Sequence, residues 1–458
     1  MPEPSARTTG WLTGWDPEDE RAWHRYGRSV ARRNLIYSVL TEHLGFSVWT
    51  LWSVLVLFMT PEFGYHHPPA AKFLLVMTPT VVGALLRLPY SRAVVRLGGR
   101  TWTVVSTLAL VAPAVLAAIV VRRPDTPMAV LLAVAALAGI GGANFASSMT
   151  NITVFYPGRR QGWALGVNAG GGNLGVAGVQ LTGLAVISTA GAGHPEILAY
   201  VYLPLIVVAT FLAARRMDNV AAVHSAPGAL RDAARDPETW RISLLYIGTF
   251  GSFIGYGFAF GLVLQNEFGA TPEQAVAHTF AGPLLGSLCR PLGGWAADRW
   301  GGARVTLWTF LGLASGTVVL IVAAAVDSFG LFVAGFTALF VLSGIGNGST
   351  YKMIPAVFAR RAEHAVLAGA GSAEALARAR RMSGAVIAVA GAVGALGGAA
   401  INLCFKISYT DASGSGIPAF VAFLAYYALC VTVLHVAYLR RSELPGGSAG
   451  LTRETSRV

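Results

Sequence analysis

The chain has 458 residues, of which 54% are hydrophobic and only 12% charged, against about 25% charged in an ordinary soluble domain. With a mean hydropathy of +0.57 spread along nearly the whole chain, this composition excludes a water-soluble enzyme and indicates an all-α polytopic membrane protein. The net charge of +12 lies between apolar segments and forms no single patch, so no nucleic-acid partner is expected.

Residues 1–34 are polar and mixed in charge, without the apolar core and small-residue cleavage site of a removable signal peptide. Apolar stretches of about 20 residues then recur. They predict twelve helices, over 35–59, 71–91, 102–121, 128–156, 162–188, 197–214, 241–264, 276–297, 305–325, 330–357, 384–406 and 416–438. The expected organisation is a segment 1–34, a six-helix bundle 35–214, a linker 215–240, a second bundle 241–438 and a tail 439–458. An even number of spans places both termini on one side. That side collects 27 Lys and Arg, whereas the other has four, Lys72, Arg122, Arg123 and Lys406. The asymmetry puts both termini and the linker in the cytoplasm.

The two bundles are expected to be related by an internal repeat. Arg87-Leu-Pro-Tyr-Ser-Arg-Ala-Val-Val-Arg96-Leu-Gly98-Gly99 matches Arg290-Pro-Leu-Gly-Gly-Trp-Ala-Ala-Asp-Arg299-Trp-Gly301-Gly302 at an offset of 203, and Gly139-Ile-Gly141 matches Gly344-Ile-Gly346 at 205. Two matches at nearly one offset imply homologous halves with substrate near the midplane between them.

Three basic residues, Arg87, Arg290 and Lys352, fall inside predicted helices. A charge at mid-bilayer costs at least about 2.5–3.5 kcal/mol, which makes an intramembrane arginine a functional candidate by default. Arg87 and Arg290 stand at repeat-equivalent positions, so both can face one central cavity. Arg92, Arg96 and Arg299 flank the turns and are read as gating or topology residues. The apolar spans contain a single carboxylate, Glu42, placed near the start of the first. No carboxylate is therefore expected beside Arg87 and Arg290, and their counter-ion is expected to be the substrate, an anion. A planar guanidinium suits a flat oxyanion, although carboxylates and phosphates use the same donors.

The glycine-dense runs Gly162 to Gly178 and Gly391 to Gly398 allow close helix packing. No strand precedes them and no Gly-Lys-Ser/Thr follows, so they are not phosphate loops. Asn168 and Asn173 lie within the first run, where an amide needs a partner and can donate to an anion.

Gly141-Gly-Ala-Asn144-Phe145-Ala-Ser-Ser-Met-Thr-Asn151-Ile, running into Gln161-Gly-Trp-Ala-Leu-Gly-Val-Asn168-Ala-Gly-Gly-Gly-Asn173-Leu-Gly, resembles the first signature of the nitrate/nitrite porter family of the major facilitator superfamily. Gly344-Ile-Gly-Asn347-Gly-Ser-Thr-Tyr-Lys352-Met-Ile-Pro355 and the glycine-rich eleventh helix resemble its second. The resemblance covers nearly the whole chain. It implies the major facilitator fold, with nitrate and nitrite as substrates. It also implies that Arg87 and Arg290 clamp substrate, that Asn173 is a polar substrate contact, and that Phe46, Phe145, Tyr246 and Phe250 line the pocket. Lys352 is a candidate either as a second anion contact or as a lock at the cytoplasmic gate; Asn168 and Asn347 are carried as further gating or secondary anion candidates.

The expected activity is alternating-access transport in a bacterial-type inner membrane, by a monomer. Nitrate/nitrite antiport is favoured because exchange spares two unpaired arginines an empty transit through the occluded state. Proton-coupled nitrate symport is the alternative. A nitrate receptor is a rival of another class, against which the short cytoplasmic segments speak. No nucleophile–base pair or nucleotide motif suggests an enzyme. No cofactor or metal is expected either: Cys289, Cys404 and Cys430 form no CxxC, and His66-His67 lacks a third ligand.

Overall fold

In the lipid interior every backbone amide must be satisfied within its own segment, so long apolar runs become helices. The computed structural model describes residues 11–220, 228–411 and 414–440; the parts of the expected N-terminal segment, linker and tail at 1–10, 221–227 and 441–458 lie outside the described residues. Twelve membrane-length helices follow in order: α1 (Glu20–Phe58), α2 (Pro69–Leu97), α3 (Gly99–Val120), α4 (Met128–Phe155), α5 (Gly158–Ala190), α6 (Glu196–Arg216), α7 (Pro237–Phe268), α8 (Ala281–Trp300), α9 (Gly302–Ala325), α10 (Phe329–Leu367), α11 (Ser372–Thr410) and α12 (Ile417–Leu439). Eleven of these are apolar enough to qualify as spans by length and composition. The other, α8, is diluted by Arg290, its prolines and its glycines.

Each predicted helix is present, and the ends differ for local reasons. α1 begins well before residue 35, where Asp19 caps it by accepting from the amides of Arg21 and Ala22. A two-residue parallel pairing, Trp11–Leu12 with Asn219–Val220, ties the start of the described chain to the exit of α6. A short helix, Pro272–Thr279, precedes α8 and is closed by a capping box between Thr271 and Gln274. Within α7 the residues Ile247–Gly251 form a π turn, a feature that often marks functional sites.

The internal repeat is visible as geometry. Gly98 and Gly301 end α2 and α8 with φ of 87° and 88°, a backbone region that side chains resist. One turn of chain then starts α3 and α9. Each half also has one close backbone crossing at corresponding glycines: an added Cβ on Gly139 would lie 2.9 Å from the Gly83 nitrogen, and one on Gly344 would lie 2.0 Å from the Gly286 oxygen. These glycines bring α2 against α4 and α8 against α10. Between halves the pseudo-symmetric pairs α2–α11 and α5–α8 make the main seams.

The seams are fastened at both ends. Away from the termini, Gln265 Nε2 donates to the Leu57 oxygen at 3.0 Å and Gln180 Nε2 to the Gly257 oxygen at 3.0 Å. Phe73 stacks on Tyr409 there, with ring centroids 5.6 Å apart. At the terminal end, Glu18 accepts from the Gly158 amide at 3.0 Å and lies 3.6 Å from Arg380 Nη1.

A side chain at the α8–α10 crossing must force the backbones apart, and overpacking of this kind costs about 1–3 kcal/mol. Gly344→Ala is expected to lower the melting temperature of the detergent-solubilised protein. Gly330→Ala, where an added Cβ meets nothing within 4 Å, is expected to leave it unchanged or slightly raised.

Candidate anion site

Arg87 sits in the middle of α2 and is 0% exposed; Arg290 holds the equivalent place on α8 and is 4% exposed. Neither guanidinium is in an ion pair among the described residues. Arg87 spends Nε on the Gly142 carbonyl at 3.3 Å and Nη1 on the Gly391 carbonyl at 2.6 Å. The absent side chain of Gly142 leaves room for the Trp49 indole, to which an added Cβ would come within 2.4 Å. The guanidinium carbon lies 4.6 Å from the Phe145 ring centroid, 5.1 Å from that of Phe250 and 5.7 Å from that of Trp49. Each such cation–π contact contributes about 0.5–2 kcal/mol when desolvated. Arg290 donates through Nη2 to the Tyr246 hydroxyl at 3.3 Å and lies 5.8 Å from the Tyr351 ring.

The aromatic residues form a continuous wall between the two arginines. Phe46 and Phe145 have centroids 6.1 Å apart, Phe145 and Phe250 are 5.8 Å apart and stacked, and Tyr246 stacks on Phe250 at 5.1 Å. Tyr351 closes on Tyr246 at 6.4 Å. The π turn of α7 carries Phe250 and follows Tyr246 directly. It fits because α11 presents glycine: a Cβ on Gly394 would lie 2.6 Å from the Tyr246 ring, and one on Gly397 would lie 3.1 Å from the Gly251 Cα.

Five of the residues singled out by sequence, Arg87, Phe145, Phe250, Tyr246 and Arg290, are thus linked by direct contacts, with Phe46 joined through Phe145. What the wall leaves unsatisfied is equally informative. Arg87 Nη2 and Arg290 Nη1 are buried with no hydrogen-bond partner among the described residues, as are both amide atoms of Asn173 and of Asn347. Unmet buried donors cost roughly 1–3 kcal/mol each, more when charged, and an anion held between the arginines would accept from their free Nη groups.

The structure corrects one expectation. Glu42 does not lie at the edge of the first span, because α1 starts at Glu20 rather than near residue 35. It is 1% exposed and lies within electrostatic range of both Arg290 and Arg87. Ser148 Oγ donates to Glu42 Oε2, and Asn168 Nδ2 donates to the same oxygen at 2.6 Å. Glu42 Oε1 has no partner among the described residues and abuts Gly172, where an added Cβ would lie 2.5 Å away. A buried carboxylate therefore accompanies the arginines, and Asn168 spends its donors on that carboxylate and on Ser148. The signal for Glu42 was present as a lone acid in an apolar helix; its depth was misjudged. Tyr351 and Trp49, also missed, read in sequence as ordinary membrane aromatics.

Lys352 lies apart from the arginine wall. Its Nζ donates to both oxygens of Asp298, at 2.9 and 2.8 Å, and faces α5 across the seam, 3.5 Å from where a Cβ of Gly162 would stand.

The chain matches the Major Facilitator Superfamily over residues 44–401. It is 36% identical to the nitrate/nitrite transporter NarU of Salmonella typhimurium, over 94% of this chain and 96% of that one. It is 33% identical to the probable nitrate/nitrite antiporter NarK2 of Thermus thermophilus, over 78% of this chain and 85% of that one. Among solved structures it is similar to a bacterial homologue of the human lysosomal transporter Spinster, inward-facing and unoccupied. That match has a TM-score of 0.62 at 16% identity and covers 90% of this chain and 97% of that one.

Because the Asn173 amide has no hydrogen-bond partner to lose among the described residues, Asn173→Ala is expected to leave thermal stability nearly unchanged. It should raise KM for the transported anion by about tenfold or more, the worth of a hydrogen bond to a charged group. A drop in melting temperature with unaltered KM would make Asn173 structural. By the reach of both the family match and the relatives, the chain belongs to the nitrate/nitrite porter family of the Major Facilitator Superfamily.

Proposed function

We propose that the protein exchanges nitrate and nitrite across the bacterial inner membrane, binding one anion between Arg87 and Arg290 and rocking its two halves around it. The observation that carries this reading is the pair of buried guanidinium groups at repeat-equivalent positions, each with one Nη lacking a protein partner. The names of the relatives support nitrate and nitrite as the anions. The rocking bodies are 35–214 and 241–438, joined by the linker 215–240, with both termini in the cytoplasm on the strength of the arginine asymmetry. The cleft lies within one chain, so a monomer suffices.

A flat monovalent oxyanion meets both forks edge-on while the stacked rings of Tyr246, Phe250 and Phe145 cover its faces. Asn173, and Tyr246 through Arg290, orient it. With Glu42 ionised, two guanidinium charges against one carboxylate leave a single positive charge. One nitrate or nitrite makes the loaded site neutral, whereas the empty site stays charged and is penalised in the low-dielectric occluded state. Exchange follows from that difference. Lys352 with Asp298 is assigned to the gate at the cytoplasmic end rather than to the anion.

The buried Glu42 also favours a second reading, proton-coupled symport, in which this carboxylate takes up the proton. Proteoliposomes distinguish the two. For exchange, labelled nitrate uptake requires internal nitrite and ignores an imposed proton gradient. For symport, uptake proceeds into empty vesicles, is driven by protons, and loses that drive in Glu42→Gln. Under exchange, Glu42→Gln leaves the loaded site positively charged. It is therefore expected to bind nitrate at least as tightly as the wild type but to turn over more slowly.

Arg87→Lys and Arg290→Lys retain charge and lose the planar fork. Each is expected to reduce kcat/KM for nitrate exchange by roughly tenfold or more, the loss of one charge-assisted hydrogen bond. Normal exchange in both variants would exclude the clamp.

A further inference from the structure

A basic cavity that shares no lining residue with the arginine clamp lies elsewhere in the N-terminal half. It occupies about 1040 Å³ between the start of α1, the α4–α5 turn and the end of α6. Arg28, Arg32, Arg33, Arg160 and Arg216 all reach its wall. Of these only Arg33 is in an ion pair among the described residues, with Asp218 at 2.5 Å. The cavity also contains Trp23, which is 1% exposed and whose indole Nε1 is buried without a hydrogen-bond partner among the described residues.

Ordinary positive-inside topology explains arginines near a membrane surface. It does not explain their convergence on one concave space beside an unpaired buried donor. Nor does it explain the other wall, where Ile36 and Trp163 are 52% and 63% exposed. Trp163 stands about one and a half turns into α5, the level at which tryptophan anchors helices at the bilayer interface. The cavity thus combines a cluster of guanidinium groups with exposed apolar side chains at the interfacial level. An inorganic phosphate would fill a small part of it and leave the apolar side unused. A phosphodiester headgroup with the first carbons of its acyl chains meets both.

We infer that this cavity is a binding site for an anionic phospholipid, its phosphodiester held by Arg32, Arg160 and Arg216 and its acyl chains lying over Ile36 and Trp163. The site is built by α1, the α4–α5 turn, α5 and α6, all of one half. Lipid occupancy therefore stabilises the N-terminal half and does not touch the anion clamp.

The test uses the purified full chain in neutral detergent at fixed ionic strength. Melting temperature is followed while short-chain phosphatidylglycerol, phosphatidylcholine of equal chain length, or inorganic phosphate is added. Phosphatidylglycerol is expected to raise it by several degrees and the other two to have little effect. Arg32→Gln/Arg160→Gln/Arg216→Gln should lose most of that rise, whereas a charge-matched control in the other half, Arg299→Gln/Arg304→Gln/Arg378→Gln, should keep it. A rise reproduced by phosphate alone would mean a free-anion site and overturn the lipid. Equal effects of both lipids, or a triple variant that responds like the wild type, would also overturn it. Should the triple variant not fold, native mass spectrometry of the unaltered protein decides. Retention of phosphatidylglycerol in preference to phosphatidylcholine supports the site, and equal retention refutes it.

Discussion

Two like charges buried in a low-dielectric interior repel, and each also forfeits its hydration. Arg87 and Arg290 are placed in that situation on opposite halves, close enough to repel one another. Much of the surrounding architecture reads as a partial remedy. Backbone carbonyls of Gly142 and Gly391 accept from Arg87, ring faces surround its cation, and the Glu42 carboxyl of α1 lies within electrostatic range of both arginines. The remedy stops short: one Nη on each arginine stays unmet. A fully neutralised pair would make a stable helix bundle with no reason to bind an anion, so on the proposed reading the deficit is what the anion fills.

The remedy depends on glycine in two distinct ways. At Gly394 of α11 and Gly142 of α4, missing side chains leave room for the Tyr246 ring and for the Trp49 indole, both projecting from other helices. At the Gly83–Gly139 and Gly286–Gly344 crossings they let the arginine helices lie against α4 and α10. These close contacts are van der Waals packing with no directional bonds, and they hold each arginine helix tightly within its own half. The repeat places the same crossing in both halves, so each arginine helix is carried by an equivalent two-helix unit. The stronger polar fastenings, Gln265 to Leu57 and Glu18 to Gly158 and Arg380, sit toward the ends of the seams, where an alternating gate must make and break contact.

The twelve spans were legible because apolar length is a direct physical requirement of the bilayer. α8 was legible despite its weak hydropathy because its repeat partner α2 is strongly apolar and shares the Arg-to-Gly-Gly spacing. The arginines were legible because a charge in such a span has few bland explanations. Glu42 was not, since its depth depends on where α1 begins, and polar residues from Arg28 to Asn34 continue the helix where hydropathy ends. The π turn at Ile247–Gly251 was also invisible: one extra residue in a helical turn leaves no compositional trace, yet it brings Phe250 onto the face of Tyr246. The cavity near Trp23 escaped for a related reason, because its arginines come from three separated segments and were counted as topology.

Glu42 changes the reasoning about coupling more than any other residue. With two arginines alone, a single monovalent anion would leave the loaded site charged, and loaded and empty carriers would both be penalised in transit. On the proposed exchange, a carboxylate held by Ser148 and Asn168 on the same half as Arg87 shifts both states by one unit when it is ionised, so that neutrality coincides with occupancy by one anion. The barrier to returning empty is then the barrier to carrying one uncompensated charge through an occluded core, and a bound counter-substrate removes it. Protonating the carboxylate would undo the match by restoring the second positive charge. A site built this way couples to a second anion more readily than to a proton, because a proton on Glu42 adds charge to a loaded site that is already neutral.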